Sequence, residues 1–563
     1  MILHSRIRLI SIIIIVVALS FIVRLYFLQI VNNDKFIEKA ERQYTSQNGL
    51  FDRGTIFFSN KDNTLLSAAN LKTGYIIAIT PNKISDVKET YDNLSKTIDI
   101  DSEKFFSRAS KKDDPYEEIA TQIEEFKAME ISEKNIKGVV VIKERWRYYP
   151  NNTLASQTLG MVGVDGKSRG YGLETSYDNV LTRNSKDTYN NFFAEIFSTL
   201  NKAFNPEESL EGDIVTTIEP EVEKTLENEF DKVYAEYSPQ SMGGIIMSPK
   251  TGEIYALGAW PTFNPNDYGK EKMSTFPNPI IKSRFEMGSI VKAITMASGL
   301  DAGVVTAKTT YNDKGFIKSG IATIYNYDKK ARGVVPMQEV LNQSLNTGMA
   351  FVVDKLGNKV FADYLIKFGF GEKTGIDLPD EISGDIRNLN STRDVEYITS
   401  SFGQGITLTP IQTIRALAVL GNGGYLVTPH LVKQINYDIG VTKKIEVTPG
   451  QQVIKKETSE EITRMLVTVV DKALRGGTYR HDRYSIAAKT GTAQLANPDG
   501  GGYYKDRYLH SFFGYFPAYD PQFLILLYAV DPKGVNYASE TFTKPFMNLA
   551  DFLINYYQIP PDR

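Results

Sequence analysis

A serine stands three residues before a lysine in Ser289-Ile290-Val291-Lys292, at the head of the run Ser-Ile-Val-Lys-Ala-Ile-Thr-Met-Ala-Ser-Gly-Leu. The apolar spacing of that run predicts a helix. Residues three apart on a helix share a face, so Lys292 stands within reach of Ser289. A serine hydroxyl is a weak nucleophile at neutral pH and needs a neighbouring base. Met287-Gly288 precedes the run as a turn, freeing backbone N–H groups beside the positive end of the helix. Two more short motifs follow in order, Ser344-Leu345-Asn346 and Lys489-Thr490-Gly491-Thr492. They add a second hydroxyl, an amide and a second cation. Together these residue types permit covalent catalysis by Ser289 with Lys292 as its base.

Each motif recurs, so its surroundings must select it. Ser85-Asp86-Val87-Lys88 repeats the first spacing, Ser46-Gln47-Asn48 the second, and Lys-Thr-Gly recurs at Lys72, Lys250 and Lys373. Ser85 lies among Lys83, Asp86, Lys88 and Glu89 and reads as a solvated helix start. Lys250-Thr251-Gly252 falls between the strand-like runs Gly243 to Met247 and Ile254 to Leu257, so it reads as a hairpin turn. Lys373 sits in a Gly-rich loop, and Lys72-Thr73-Gly74 is expected to precede a strand. Lys489 alone closes an apolar run, Ser485 to Ala488, and is followed by a Gly-rich loop and a second strand, Ser511 to Phe516. That pattern predicts a strand edge whose backbone faces a cleft.

These motifs need a large frame to bring them together. At 563 residues the chain exceeds one ordinary domain. Apolar residues make up 42% and charged residues 23%, with a net charge of −3, which gives no nucleic-acid footprint. His4, His430, His481 and His510 lack metal-ligand spacing and cysteine is absent, so neither metal nor thiol chemistry is expected and no cofactor is called for. Leu9 to Val23 is uncharged, and its apolar character continues to Ile30, interrupted by Arg24 and Gln29. That length suffices for a membrane span. Arg6 and Arg8 place the N-terminus inside, and no small-residue cleavage site follows, which favours an uncleaved anchor over a signal peptide. The expected division is a cytoplasmic tail at 1–8, an anchor at 9–30, an N-terminal domain at 31–205 and a C-terminal domain at 206–563 holding all three motifs. Within it, Gly212 to Ile218 reads as a strand and Glu221 to Phe230 as a helix. The fold class is α+β and multidomain.

The ordered trio resembles that of the class B penicillin-binding proteins, monofunctional peptidoglycan transpeptidases. Further segments carry the same likeness along the chain: Arg53-Gly54-Thr55-Ile56, Arg147-Tyr148-Tyr149-Pro150, Gly170-Tyr171-Gly172-Leu173-Glu174, Phe368-Gly369-Phe370-Gly371, Gly403-Gln404-Gly405 and Thr409-Pro410-Ile411-Gln412. Met287 stands where the family usually has Pro, and Glu219 where Asp is common. The resemblance implies an elongated pedestal or dimerisation-type domain, then a domain like the serine β-lactamases, with an antiparallel sheet flanked by helices and an all-helical part. It further implies that Ser289 attacks the penultimate D-Ala of a stem peptide ending in D-Ala-D-Ala, forming an acyl-enzyme that a neighbouring amine resolves into a cross-link. Ser289 and Thr492 N–H groups would form the oxyanion hole. Ser344 would relay a proton, and Asn346 would hold the donor amide and orient Lys292. Lys489, Thr490, Gly491 and Thr492 would meet the terminal carboxylate.

The same resemblance implies a plasma-membrane protein with an outward catalytic domain, blocked by β-lactams. Its implied partner is an integral-membrane glycosyltransferase of the shape, elongation, division and sporulation (SEDS) type, together with divisome or elongasome proteins, reached through Val23 to Ile30 and segments near Arg53 and Arg147. Asn346, rather than Asp, leans toward the division type. Diaminopimelate and lysine both stay open as the acceptor. The other readings are a β-lactamase or D,D-carboxypeptidase relative, a bifunctional penicillin-binding protein, and a β-lactam sensor or inactive scaffold. No pair of catalytic carboxylates for a glycosyltransferase stands out before residue 210, and the intact trio speaks against a scaffold.

Overall fold

The computed structural model describes residues 51–163, 165–183, 211–448, 450–498 and 500–563. The expected tail and anchor, the spare motif Ser46-Gln47-Asn48 and residues 184–210 lie outside these residues. Among the described residues no helix is long and apolar enough to cross a membrane.

The chain forms two compact units. The smaller keeps Leu71–Trp146 of the described residues, while Arg53–Asn70 and Arg147–Arg183 belong to the larger. In the smaller unit, Tyr75 to Ile79 pairs antiparallel with Glu117–Ile123. Helices Val87–Ser95, Ser102–Ala109 and Glu125–Glu133 supply Leu94, Phe105 and Ile131 to a core around Ile77 and Ile79. Asp86 caps the first of these helices by accepting from Glu89 N–H. The spare motif at Ser85 is thus a solvated helix start, as its charges implied. Lys72-Thr73-Gly74, expected before a strand, lies within one, Leu65–Ile79, with Lys72 and Thr73 exposed and Gly74 buried.

In the larger unit, the elements that frame the trio are α1 (Pro220–Tyr237), β1 (Ser241–Met247), β2 (Ile254–Trp260), α2 (Val291–Asp301), α3 (Met337–Asn342), α4 (Asn346–Leu356), β3 (Ala487–Ala496), β4 (Tyr503–Phe516), β5 (Phe523–Val530) and α5 (Ala538–Tyr557). The strands form one antiparallel sheet in the order β3-β4-β5-β1-β2. Side chains alternate between the faces of a strand, and both faces here are covered. Phe523, Ile525 and Leu527 of β5 pack with Val222 and Phe230 of α1 and with Phe546 and Leu553 of α5. Leu524, Leu526 and Tyr528 join a second core with Val291, Ile294 and Ala297 of α2. The predicted helix near Glu221 is longer than expected, and the strand before it shorter, Gly212–Thr216. Glu219 lies beyond the strand and caps the helix, accepting from Val222 N–H at 2.7 Å. The departure from Asp therefore preserves the capping function. Lys250-Thr251-Gly252 is the β1–β2 turn.

Candidate active site

Ser289 sits in a single 3-10 turn, Gly288–Ile290, that leads directly into α2. From Val291 through Gly299 every residue of α2 is buried, as for a helix at the centre of a domain. Lys292 is carried into the interior with it and is only 1% exposed. Its Nζ donates to the Ser344 carbonyl at 2.6 Å and to Ser344 Oγ at 3.2 Å, and lies 5.9 Å from the Phe402 ring centroid. Burial, then the charge of Lys489, push its pKa well below the ordinary lysine value. The hydrogen bonds of Lys292 go to Ser344 and none to Ser289.

Ser344 lies between α3 and α4 with φ of +54°. A side chain seldom occupies that left-handed region unless the surroundings enforce it, and such residues concentrate at functional sites. Lys489, on β3 and 3% exposed, donates to the same Ser344 Oγ at 3.2 Å and to Thr490 O at 3.0 Å. Burial lowers its pKa to about 8. One hydroxyl thus receives hydrogen bonds from two buried lysines, one each from the first and last motifs.

The trio is closed by backbone contact. β3 is the edge strand of its sheet, as the run before Lys489 implied. Gly288 has φ of +65°, and a Cβ there would lie 3.1 Å from the carbonyl of Thr492. On its other side Gly288 N–H donates to Gly403 O at 3.1 Å, and a Cβ on Gly403 would fall 2.3 Å from Gly288 O. Only glycine allows three backbones to approach so closely. Ser511 of β4, buried, donates from Oγ to Met287 O at 2.8 Å and Gly491 O at 3.3 Å, fastening the turn that holds Ser289 to the strand. Met287 itself is buried where Pro is usual.

Thr492 Oγ1 accepts from Ala538 N–H at the start of α5. Asn346 opens α4, but the expected contact with Lys292 is not made: its Nδ2 donates to Tyr325 O at 2.8 Å. Behind it, Asp313, Asn326 and Thr347 form a buried hydrogen-bond network. Sequence reasoning did not single out Ser511, Tyr325 or Phe402. Gly403 was visible only through its motif.

Arg53, Arg147 and Glu174, from three segments that carried the resemblance, meet in one buried cluster within the larger unit. Glu174 receives Arg53 Nε at 2.7 Å and Arg147 Nε at 2.6 Å, with Tyr149 Oη at 3.2 Å. The two arginines are therefore interior.

With this geometry, comparisons with known proteins agree. The family description "Penicillin binding protein transpeptidase domain" matches residues 242–549, and "Penicillin-binding Protein dimerisation domain" matches 52–191. Stage V sporulation protein D of Bacillus subtilis is 31% identical, over 93% of this chain and 81% of its own. Peptidoglycan D,D-transpeptidase FtsI of Escherichia coli is 25% identical, over 97% and 91%. Among solved structures, penicillin binding protein 2X from Streptococcus thermophilus superposes with a TM-score of 0.72 at 22% identity, over 91% of this chain and 81% of that one. Penicillin binding protein 3 of Mycobacterium tuberculosis, complexed with aztreonam, gives 0.70 at 21%, over 91% and 98%.

Proposed function

The chain belongs to the class B penicillin-binding proteins and is a peptidoglycan D,D-transpeptidase, and on that premise we propose that Ser289 is its nucleophile and Lys292 the base. The carrying observation is the Ser344 hydroxyl held by both Lys292 and Lys489. A lysine whose charge is disfavoured by burial can take the Ser289 proton as Oγ bonds to the penultimate D-Ala carbonyl carbon. Ser344 then passes a proton to the departing D-Ala nitrogen, and the C–N bond breaks. Lys489, with Thr490, Gly491 and Thr492 on the open edge of β3, receives the terminal carboxylate. Asn346 holds the donor amide. The Ser289 and Thr492 N–H groups stabilise the oxyanion, worth about 3 kcal/mol per donor in comparable sites. An amine of a second stem peptide completes the cross-link.

Covalent labelling by fluorescent penicillin tests the assignment. Ser289→Ala should abolish labelling while the unfolding midpoint stays nearly unchanged. Labelling that survives, or moves to Ser85, would overturn it.

The finer reading extends to the whole protein. The division into a tail (1–8), an anchor (9–30), a pedestal (31–205) and an outward transpeptidase domain (206–563) is supported by the uncharged run Leu9 to Val23. A transpeptidase without a polymerase of its own requires one, and a SEDS-type glycosyltransferase within a divisome or elongasome supplies that activity. Replacing residues 9–30 with an unrelated membrane helix should spare penicillin acylation but weaken co-purification with the polymerase. Undiminished co-purification from a chain also lacking residues 35–205 would contradict this role.

A further inference from the structure

The two polar residues of the middle motif, Ser344 and Asn346, are held by different supports. The turn through Ser344 is fastened to α3, with Ser344 N–H donating to Leu341 O at 3.3 Å and Leu345 N–H to Val340 O at 2.9 Å. Asn346, by contrast, opens α4 behind Leu345, an apolar residue whose side chain makes no capping bond. A helix leaves its first N–H groups without acceptors inside the helix, and a polar residue at the N-cap ordinarily supplies one. Here the acceptor comes from a distant part of the chain: Asn326 Oδ1 takes the Thr347 N–H at 3.2 Å.

Asn326 directly follows a hairpin made of the paired strands Phe316–Ser319 and Ala322–Tyr325. The last residue of that hairpin is Tyr325, whose carbonyl receives Asn346 Nδ2 at 2.8 Å. Two successive residues thus hold the main chain of α4 and the side chain of Asn346. Asp313 fixes Asn326 in turn. Both of its carboxylate oxygens accept from Asn326 Nδ2, at 3.1 and 3.0 Å, which leaves the amide oxygen facing α4. The Asp313 carboxylate is also held by Gly315 N–H at 2.9 Å, Arg332 N–H at 3.1 Å and Thr347 Oγ1 at 2.8 Å, and the residue is 1% exposed. A buried polar network with its acceptors satisfied in this way is rigid and specifies one arrangement. It closes on the first turn of α4 at two points, the N–H and the hydroxyl of Thr347.

We propose that Asp313 is a positioning residue for transpeptidation, which acts through Asn326, Thr347 and the Tyr325 carbonyl to fix the Asn346 amide where the donor peptide's amide is held. The proposal rests on the role given to Asn346 above and deepens it. The network does not include Ser289, Lys292 or Lys489, and Ser344 has its own support on α3. Loss of Asp313 therefore removes one function of the site and spares the others. An acyl donor that presents an amide to Asn346 is affected, and one without that amide is not.

The test compares acylation of the full chain in detergent by benzylpenicillin, which carries a side-chain amide, and by aminopenicillanic acid, which lacks it. Asp313→Asn keeps the shape but sets a donor against Asn326 Nδ2. Breaking a buried contact of this kind should slow acylation by benzylpenicillin about tenfold, and acylation by aminopenicillanic acid less than about twofold. Asn346→Ala should show the same selectivity, and adding Asp313→Asn to it should cause no further loss, because residues that act through one another are not additive. Undiminished acylation by benzylpenicillin in Asp313→Asn, equal losses with the two β-lactams, or losses that multiply in the double variant would overturn the proposal. If Asp313→Asn does not fold, Thr347→Val, which removes the hydroxyl from Asp313 and keeps the side-chain shape, decides by the same comparison. An Asn346→Ala variant that loses both β-lactams equally would instead overturn the role of Asn346 on which this rests.

Discussion

At the scale of single residues, the proposed mechanism needs the two lysines in opposite charge states. Lys292 must be neutral to accept a proton, and burial and Lys489 both push its pKa down. Lys489 must be charged to hold a carboxylate, and its own pKa is lowered to about 8. The signs give a bell-shaped profile. The acylation rate should rise with pH as Lys292 loses its proton, and fall above pH 8 as Lys489 loses its own. Rates measured with a chromogenic β-lactam should trace this curve. A flat profile from about pH 6 to the ordinary lysine range near 10 would mean that neither lysine titrates in the step. The placement of Ser289 and both lysines was legible in the sequence, because their spacing and flanking periodicity imply a helix start and a strand edge. The partner of Asn346 was not, since Tyr325 lies in a separate strand whose approach no local pattern encodes.

At the scale of elements, the active site is a junction of three backbones, at Gly288, Gly403 and Thr492, and glycine is what lets them meet. Gly403→Ala would place a Cβ 2.3 Å from Gly288 O, at a φ of +79°. Penicillin acylation should fall at least tenfold and the unfolding midpoint should drop, because the clash is with backbone and cannot be relieved by a rotamer change. Gly269 provides the control: a Cβ there meets nothing within 4 Å, and Gly269→Ala should change stability by less than about 0.5 kcal/mol. Equal behaviour of the two variants would show that the close approach is not needed. Periodicity made α2, β3 and β4 legible. The junction was not, because Gly288–Gly403 and Met287–Ser511 contacts join positions more than a hundred residues apart, and a sequence encodes such pairs only through the whole fold.

At the scale of the whole molecule, the larger unit gathers segments from both sides of the division expected between residues 205 and 206. Ile56 and Phe57 pair in parallel with Ile214 and Val215, and Tyr149 N–H donates to Asn266 Oδ1; Arg53, Arg147 and Glu174 bury their charges against one another within the same unit. Glu174 is fully buried between the two guanidinium groups, and Glu174→Gln would leave two buried cations short of an anion. Breaking a buried pair in this way costs about 3–5 kcal/mol. The denaturant midpoint should fall accordingly, while the molecules that remain folded still bind penicillin at Ser289. An unchanged midpoint would mean that the cluster is dispensable. The three segments were legible as motifs, but their buried meeting point was not, since an arginine in sequence reads most readily as surface. The account as a whole stands on the acyl-enzyme at Ser289, and mass spectrometry of the protein quenched during turnover of a D-Ala-D-Ala peptide tests it most directly. The expected adduct has the mass of the donor less one D-alanine and maps to the peptide containing Ser289; an adduct on any other residue, or D-alanine release that persists in Ser289→Ala, would contradict it.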